Sequence, residues 1–309
     1  MIKKVTIGRE NGIAVPAIAA GCMRISDMTE KQVSEHISGC LESGLNFFDH
    51  ADIYGGGKCE TLFGNAMKNM SISRESVILQ SKCGIVPGVM YDFSEKYILS
   101  AVDKILSRLQ TDYLDVLLLH RPDALCEPEE VASAFDKLYS SGKVRRFGVS
   151  NHSPAQTELL KRYVKQEIAV NQLQMSIPFS GMISAGMEVN MLTDGAVCRD
   201  GYALDYCRLN DIVIQAWSPF QYGFFEGNFI GNREKFPELN AVMEELAEKY
   251  GITPTGIAAA WILRHPAKIQ VIAGTTKLSR IRERAAAMDS SLSREDWSRL
   301  YLAAGHILP

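Results

Sequence analysis

An α/β fold closed as a (β/α)8 barrel of the TIM type is the class predicted for this chain of 309 residues. Three observations carry the prediction. Short, almost wholly apolar runs alternate with stretches of helical periodicity, and such runs belong to parallel strands buried on both faces. Eight of these runs can be counted, the number that closes a barrel. No G-x-G-x-x-G or G-x-x-x-x-G-K-[ST] follows any of them, so the open doubly wound sheet, the runner-up, lacks its usual phosphate fingerprints.

The elements follow in order. Residues 3–7 and 13–20 flank Asn11-Gly12, a pair that tolerates positive φ and so favours a tight hairpin turn. This predicts an N-terminal β-hairpin at the barrel bottom, with the first barrel strand near 17–21. Thr29 is placed to cap a helix whose Val33, Ile37, Cys40 and Leu41 share one face, and Gly44 ends it. The second strand, 45–49, stops at Asp49. Strands at 77–82, 114–120, 145–151, 168–172, 212–218 and 269–275 complete the set. Between them lie a helix with Ile98, Val102, Ile105 and Leu109 inward, one starting at Pro128, one near Ser153-Pro154, and one over 202–209; a last helix covers 294–302. Two connections exceed the repeat. Residues 176–197, rich in glycine and methionine, are read as packing; residues 219–236, with Tyr222, Phe224, Phe225 and Phe229, are read as a cover over a pocket. No composition shift marks a linker, so residues 1–309 are expected to form one domain.

Composition narrows the partners. A hydrophobic share of 46% and a charged share of 22% suit a globular protein, and the net charge of -3 offers no basic field to a phosphate backbone. Nucleic acid is not an expected partner. The seven cysteines are scattered and never form C-x-x-C, which reads as reduced thiols in the cytoplasm and neither a disulfide frame nor a metal site. No signal-like or membrane-spanning apolar run is present in the sequence, so no membrane is expected.

In a barrel the C-terminal ends of all strands meet at one mouth, where catalytic groups gather. Here those ends supply Asp49 and Tyr54, Lys82, His120, Ser150 and Asn151, Gln172, Trp217 and Ser218, then Gly274 to Thr276. Each has a plain alternative: a polar strand exit, a satisfied core histidine, a solvated lysine. Together they form a chemical set. A phenol titrates near 10, and a neighbouring ammonium is expected to lower that value while an aspartate holds the lysine charged and in place. Tyr54 could then act as general acid toward a carbonyl oxygen, with His120 as a second donor to it. None of the four groups can supply a hydride, so a cofactor must.

Asp49, Tyr54, Lys82 and His120, in this order on these strand ends, resemble the catalytic tetrad of the aldo-keto reductases. The resemblance spans the chain: Phe48-Asp49-His50-Ala51-Asp52-Ile53-Tyr54-Gly55, Ser81-Lys82-Cys83-Gly84, Leu118-Leu119-His120-Arg121-Pro122, Gly148-Val149-Ser150-Asn151 and Trp217-Ser218-Pro219. It is closest to a bacterial branch of predicted oxidoreductases with His-Ala-Asp-Ile-Tyr-Gly and His-Arg-Pro motifs. The resemblance implies an extended NADP(H) across the barrel mouth, with NAD(H) the alternative. Ser150, Asn151 and Gln172 would hold the carboxamide, Trp217 would stack on the nicotinamide, and Asp49 would also face the cofactor. Ser218 and Pro219 would pass the pyrophosphate, and Gly21, Met23 and Arg24 would line the first loop. Gly274, Thr275, Thr276, Arg280 and Arg284 would hold the adenosine phosphate. Gly274 stands where many relatives carry lysine, and Arg284 where they carry asparagine. His50 replaces a small residue and is taken as variation, with titration beside the site as the alternative.

The expected activity is reduction of a small-molecule aldehyde or ketone by a monomer or weak homo-oligomer. A cofactor-sensing binding module of the same fold is the alternative; a metal-assisted hydrolase lacks clustered ligands in the sequence. By loop position alone, Cys83, Arg121, Tyr222, Phe224, Phe225 and His306 are pocket candidates. Arg121 points either to an anionic substrate group or, preferred from sequence, to a salt bridge within the barrel rim.

Overall fold

A computed structural model describes residues 3–224 and 226–308; the Phe225 expectation therefore lies outside the described residues. The chain opens with the hairpin of β1 (Lys4–Ile7) and β2 (Ile13–Pro16), paired Val5 to Val15 and Ile7 to Ile13. Asn11 sits in its turn at φ 55°, a conformation asparagine accepts more readily than most residues.

After the hairpin come β3 (Ile18–Gly21), α1 (Glu30–Glu42), β4 (Phe47–Asp49), α2 (Lys58–Asn69) and β5 (Ile78–Cys83). A small second hairpin, β6 (Ile85–Val86) with β7 (Met90–Tyr91), precedes α3 (Glu95–Leu109). Then follow β8 (Val116–Leu119), α4 (Pro128–Ser140), β9 (Phe147–Ser150), α5 (Pro154–Lys161), β10 (Ile168–Gln174), α6 (Gly181–Met187) and α7 (Ala203–Leu209). The chain finishes with β11 (Val213–Trp217), α8 (Pro237–Tyr250), α9 (Pro254–Arg264), β12 (Ile269–Ala273), α10 (Leu278–Ala287) and α11 (Arg294–Ala303). Strands β3, β4, β5, β8, β9, β10, β11 and β12 close in that order into a barrel, and every neighbouring pair is parallel.

Helix starts follow local chemistry. Thr29 and Ser153 form reciprocal capping boxes with Gln32 and Gln156, satisfying amides that no earlier turn can. Ser94, Thr253 and Ser293 cap α3, α9 and α11. Helix α9 is apolar nearly all round and buried from Gly256 to Leu263, as a helix covered on its outer side must be. Three short elements were not legible in the sequence: β6 and β7 lack an alternating pattern long enough to read, and α6 is only seven residues long within the 176–197 connection.

Side chains of a strand alternate between two faces, and this sorts the core into two parts. Outward residues pack against the helices in one large cluster; the inward Ala19, Phe47, Ile78, Val116, Val170 and Val213 form a second with Val5, Ile7 and Val15 of the hairpin. The hairpin thus plugs the N-terminal end with apolar side chains. Two residues further along four of these strands the inward positions turn polar: Asp49 follows Phe47, Gln80 follows Ile78, Gln172 follows Val170 and Gln215 follows Val213. The barrel becomes polar toward its mouth.

Candidate active site

Lys82 is the junction of the mouth. Two residues above Gln80 on the inward face of β5, it is wholly buried, as is Asp49 at 2% exposure. Its Nζ lies 2.8 Å from both carboxylate oxygens of Asp49. It also donates to the His50 carbonyl at 2.8 Å and to the Tyr54 hydroxyl at 3.1 Å. Tyr54 reaches this point because the chain leaves β4 in a tight turn: Gly55, Gly56 and Gly57 take φ of 56°, 64° and 91° before α2 begins, angles at which a Cβ is strained. The His120 ring meets the Tyr54 ring edge-on, with centroids 6.1 Å apart.

Beneath this group lies a layer of buried amides. Gln80 and Gln172 donate through Nε2 to Asp49 Oδ1 at 2.6 and 3.1 Å, and both also donate to Gln215 Oε1. Gln215 in turn donates to Gln80 and Gln270, each at 2.9 Å, and Gln270 donates to the Pro16 carbonyl at 2.8 Å. The carboxylate that anchors Lys82 is thereby tied through four glutamines to the hairpin. Sequence reading assigned only Gln172 a role; the signal for the others was a mid-strand glutamine two residues before a mouth residue, as Gln80 stands to Lys82 and Gln215 to Trp217.

The charges of the site are set by burial and by each other. Burial raises the Tyr54 phenol above its ordinary value; Lys82 pulls it down, but Asp49 pushes it up again. The expected net lowering by Lys82 is therefore corrected: in the free protein, desolvation and the Asp49 charge outweigh the ammonium. On Lys82 itself burial opposes the charge, but Asp49 and Tyr54 overcome it and the net shift is upward. Lys82 is an ammonium and Tyr54 a protonated phenol. Burial, with the charges of Lys82 and Arg121 added, drives His120 well below the usual histidine range, and its Nδ1 is buried without a protein partner. It is a neutral imidazole. His50 is wholly buried edge-on to Phe63 and held at about 3 by burial and by Lys82, so titration of His50 near neutral pH is excluded.

A cavity of about 750 Å³ opens above this group. Tyr54 and His120 line it, together with every residue expected to face the cofactor: Gly21, Met23, Arg24, Asp49, Ser150, Asn151, Gln172, Trp217, Ser218, Pro219, Gly274, Thr275, Thr276, Arg280 and Arg284. Asn151 and Ser218 leave their strands at φ of 59° and 49°. That turn lets Asn151 donate to Ser150 Oγ and accept from Trp217 Nε1 at 3.1 Å. Phe220 and Gln221, within the 219–236 segment read as a pocket cover but not singled out, also line the cavity, as does Lys277, which was missed. Lys277 restores a cation near Gly274.

The far end of the cavity fits a phosphate. Arg24 donates to the Gly274 carbonyl at 2.7 Å. Arg284 is only 6% exposed and lies over the Phe220 ring, yet its Nε and Nη1 have no hydrogen-bond partner among the described residues. Burial and the nearby Arg280 and Arg24 lower it to about 10. A buried, unpaired guanidinium beside two further cations suits an anion that supplies several acceptors.

The pocket candidates divide. Phe224 and Arg121 line the cavity; among the described residues Arg121 makes no ion pair, so the preferred salt bridge in the rim is corrected. His306 instead lines a second, adjoining cavity, bonded to the Ile177 carbonyl and Ser180 and stacked on Tyr301. Cys83 is wholly buried in the helix-facing cluster: next to the inward Lys82, strand alternation turns it outward. Tyr222 lines neither cavity; its hydroxyl donates to the Glu226 carbonyl and its ring packs on Phe236. The 176–197 connection, read as packing, buries Ile177 and Ile183 and also walls the second cavity through Phe179, Met182 and Glu188. No helix among the described residues is long and apolar enough to cross a membrane.

Known proteins resemble this chain in sequence and in fold. The oxidoreductase YcsN of Bacillus subtilis is 36% identical over 284 residues, covering 88% of each chain. A 6-dehydroglucose reductase of Agrobacterium fabrum is 32% identical, covering 96% of this chain and 97% of its own. The crystal structure of an aldo-keto reductase from Klebsiella pneumoniae in complex with NADPH superposes with a TM-score of 0.76 at 26% identity, over 97% of this chain and 94% of that one. With the sequence profile of the aldo/keto reductase family matching residues 17–302, and eight parallel strands closed around a polar mouth, the chain belongs to the aldo/keto reductase family.

Proposed function

We propose that the protein is an NADP(H)-dependent oxidoreductase that reduces aldehyde or ketone carbonyls to alcohols, with Tyr54 as the proton donor. The observation that carries this reading is the Lys82 ammonium shared between Asp49 and the Tyr54 hydroxyl at the inner end of the cavity. NADPH, which the Klebsiella relative holds, supplies when bound the hydride that no side chain here can. Everything else is done by residues of the chain. Tyr54 donates its hydroxyl proton to the carbonyl oxygen as negative charge develops there. The resulting phenolate is stabilised by Lys82, whose own charge and position are kept by Asp49. His120, a neutral donor, hydrogen-bonds the same oxygen and aims the carbonyl.

The resemblance to the family implies the cofactor's places, and the side chains present there fit them. Ser150, Asn151 and Gln172 carry the amide and hydroxyl groups a carboxamide needs, and the Trp217 ring supplies a flat apolar face. Ser218 and Pro219 border the pyrophosphate. Thr275, Thr276 and Arg280 with the unpaired Arg284 take the adenosine phosphate, which favours NADP(H) over NAD(H). Protein fluorescence titrated with NADPH and with NADH tests this choice, followed by turnover on a panel of aldehydes and ketones. Tighter NADPH binding and measurable NADPH oxidation are expected. Tight binding with no turnover across the panel would contradict a reductase and leave the cofactor-sensing alternative.

A further inference from the structure

Four arginines line the cavity without an ion pair among the described residues: Arg24, Arg280 and Arg284 toward the far end, and Arg121 toward the other. Arg284 at the far end is met by the cofactor phosphate in the reading above. Arg121 is not. It follows His120 directly at the end of β8, and it lies where the first cavity joins the second, of about 930 Å³; Asn151, Trp217 and Phe224 line both cavities with it. Its guanidinium carbon sits 5.7 Å from the Trp217 ring centre and 5.8 Å from that of Phe224.

Other partly buried arginines show what such a group ordinarily finds. Arg74 is paired with Asp115 at 2.7 Å and Arg108 with Glu60 at 2.7 Å. Arg121 has neither a hydrogen bond nor an ion pair among the described residues. The groups acting on its charge besides burial are the phenols of Tyr91 and Tyr54. Three carboxylates line the second cavity, Glu188, Asp194 and Asp200, but none is bonded to Arg121. Glu188 accepts from the Thr193 hydroxyl, and Asp200 from the amides of Tyr202 and Ala203. A half-buried guanidinium within cation–π distance of two aromatic rings, and bonded to neither a carboxylate nor a carbonyl among the described residues, keeps its fork of N–H donors available.

We propose that Arg121 is the recognition site for an oxyanion on the substrate, so that the preferred carbonyl compounds carry a carboxylate, phosphate or sulfonate at the end remote from the reacting carbon. The assignment rests on the reductase reading above. Because Arg121 adjoins His120, a substrate whose carbonyl oxygen meets Tyr54 and His120 extends its other end past Arg121 into the second cavity. A charge-assisted pair there orients the substrate and gives a half-buried, unpaired cation its counter-ion in one contact.

The test compares matched pairs with saturating NADPH: 4-carboxybenzaldehyde against methyl 4-formylbenzoate, succinic semialdehyde against butanal, and glyceraldehyde 3-phosphate against glyceraldehyde. In the wild type, kcat/KM is expected to favour the anionic member of at least one pair by about tenfold or more, the scale of one hydrogen bond to a charged group, chiefly through KM. The pair that responds separates carboxylate from phosphate. Arg121→Gln should bring that ratio close to one, and Arg121→Lys should retain part of it, which loss of packing alone would not produce. Equal kcat/KM within all three pairs, or a preference that survives Arg121→Gln, overturns the assignment while leaving the reductase reading intact. No turnover of any of the six compounds overturns both.

Discussion

At Lys82 one ammonium satisfies three acceptors, the Asp49 carboxylate, the His50 carbonyl and the Tyr54 hydroxyl, and every role proposed for the site depends on that sharing. A buried lysine without a carboxylate would lose its proton; with Asp49 beside it the net shift is upward. Tyr54 consequently meets a fixed positive charge whenever it gives up a proton. At the other end of the cavity the argument concerns one unpaired side chain. If Arg284 binds the adenosine phosphate, Arg284→Gln should weaken NADPH binding by about 10- to 100-fold, the worth of one hydrogen bond to a charged group, while NADH affinity changes by a small factor. Fluorescence titration of both cofactors checks this, and equal losses for the two would contradict it.

At the scale of the strand, alternation explains both what could be read and what could not. Asp49, Lys82 and His120 were legible as a mouth because each reads as closing an apolar run on successive strands. The same alternation sends Cys83 into the helix layer, an outcome its neighbour Lys82 already implied. Loop residues carry no such rule: Tyr222 was placed by position alone and turned to Phe236, and the 85–91 hairpin is too short to show a period. The glutamine layer was hidden for another reason. Gln80, Gln215 and Gln270 occupy mid-strand positions where polarity is ordinarily disfavoured, and only the closed barrel shows that they bond to each other. Gln215 accepts from Gln80 and Gln172 and donates to Gln80 and Gln270. Gln215→Leu would strand the carbonyl oxygens of Gln80 and Gln270, at roughly 1–3 kcal/mol for each buried unsatisfied group. The expected loss in urea denaturation is about 2 kcal/mol or more, and an unchanged midpoint would show that the layer is not a connected network.

Over the whole molecule, an apolar plug closes one end of the barrel and charged groups crowd the other. Asp52, in the turn that carries Tyr54, is raised to about 7 by burial and by the nearby Glu60. A carboxyl bound more tightly to its proton in the folded state contributes stability below its unfolded value near 4, and that contribution is lost as pH rises toward 7. Asp52→Asn should therefore gain in Tm relative to the wild type between about pH 4 and pH 7, then hold a constant advantage above. A difference independent of pH would mean that Asp52 ionises freely.

The central claim, that Tyr54 delivers the proton in an NADPH-dependent carbonyl reduction, is tested most directly by following NADPH oxidation with a reactive aromatic aldehyde in wild type and Tyr54→Phe, alongside NADPH binding by fluorescence. A fall in kcat of about 10²- to 10⁴-fold, the range of general acid catalysis, with cofactor affinity nearly unchanged, is the expected result. Equal rates of NADPH oxidation in the two proteins would contradict it.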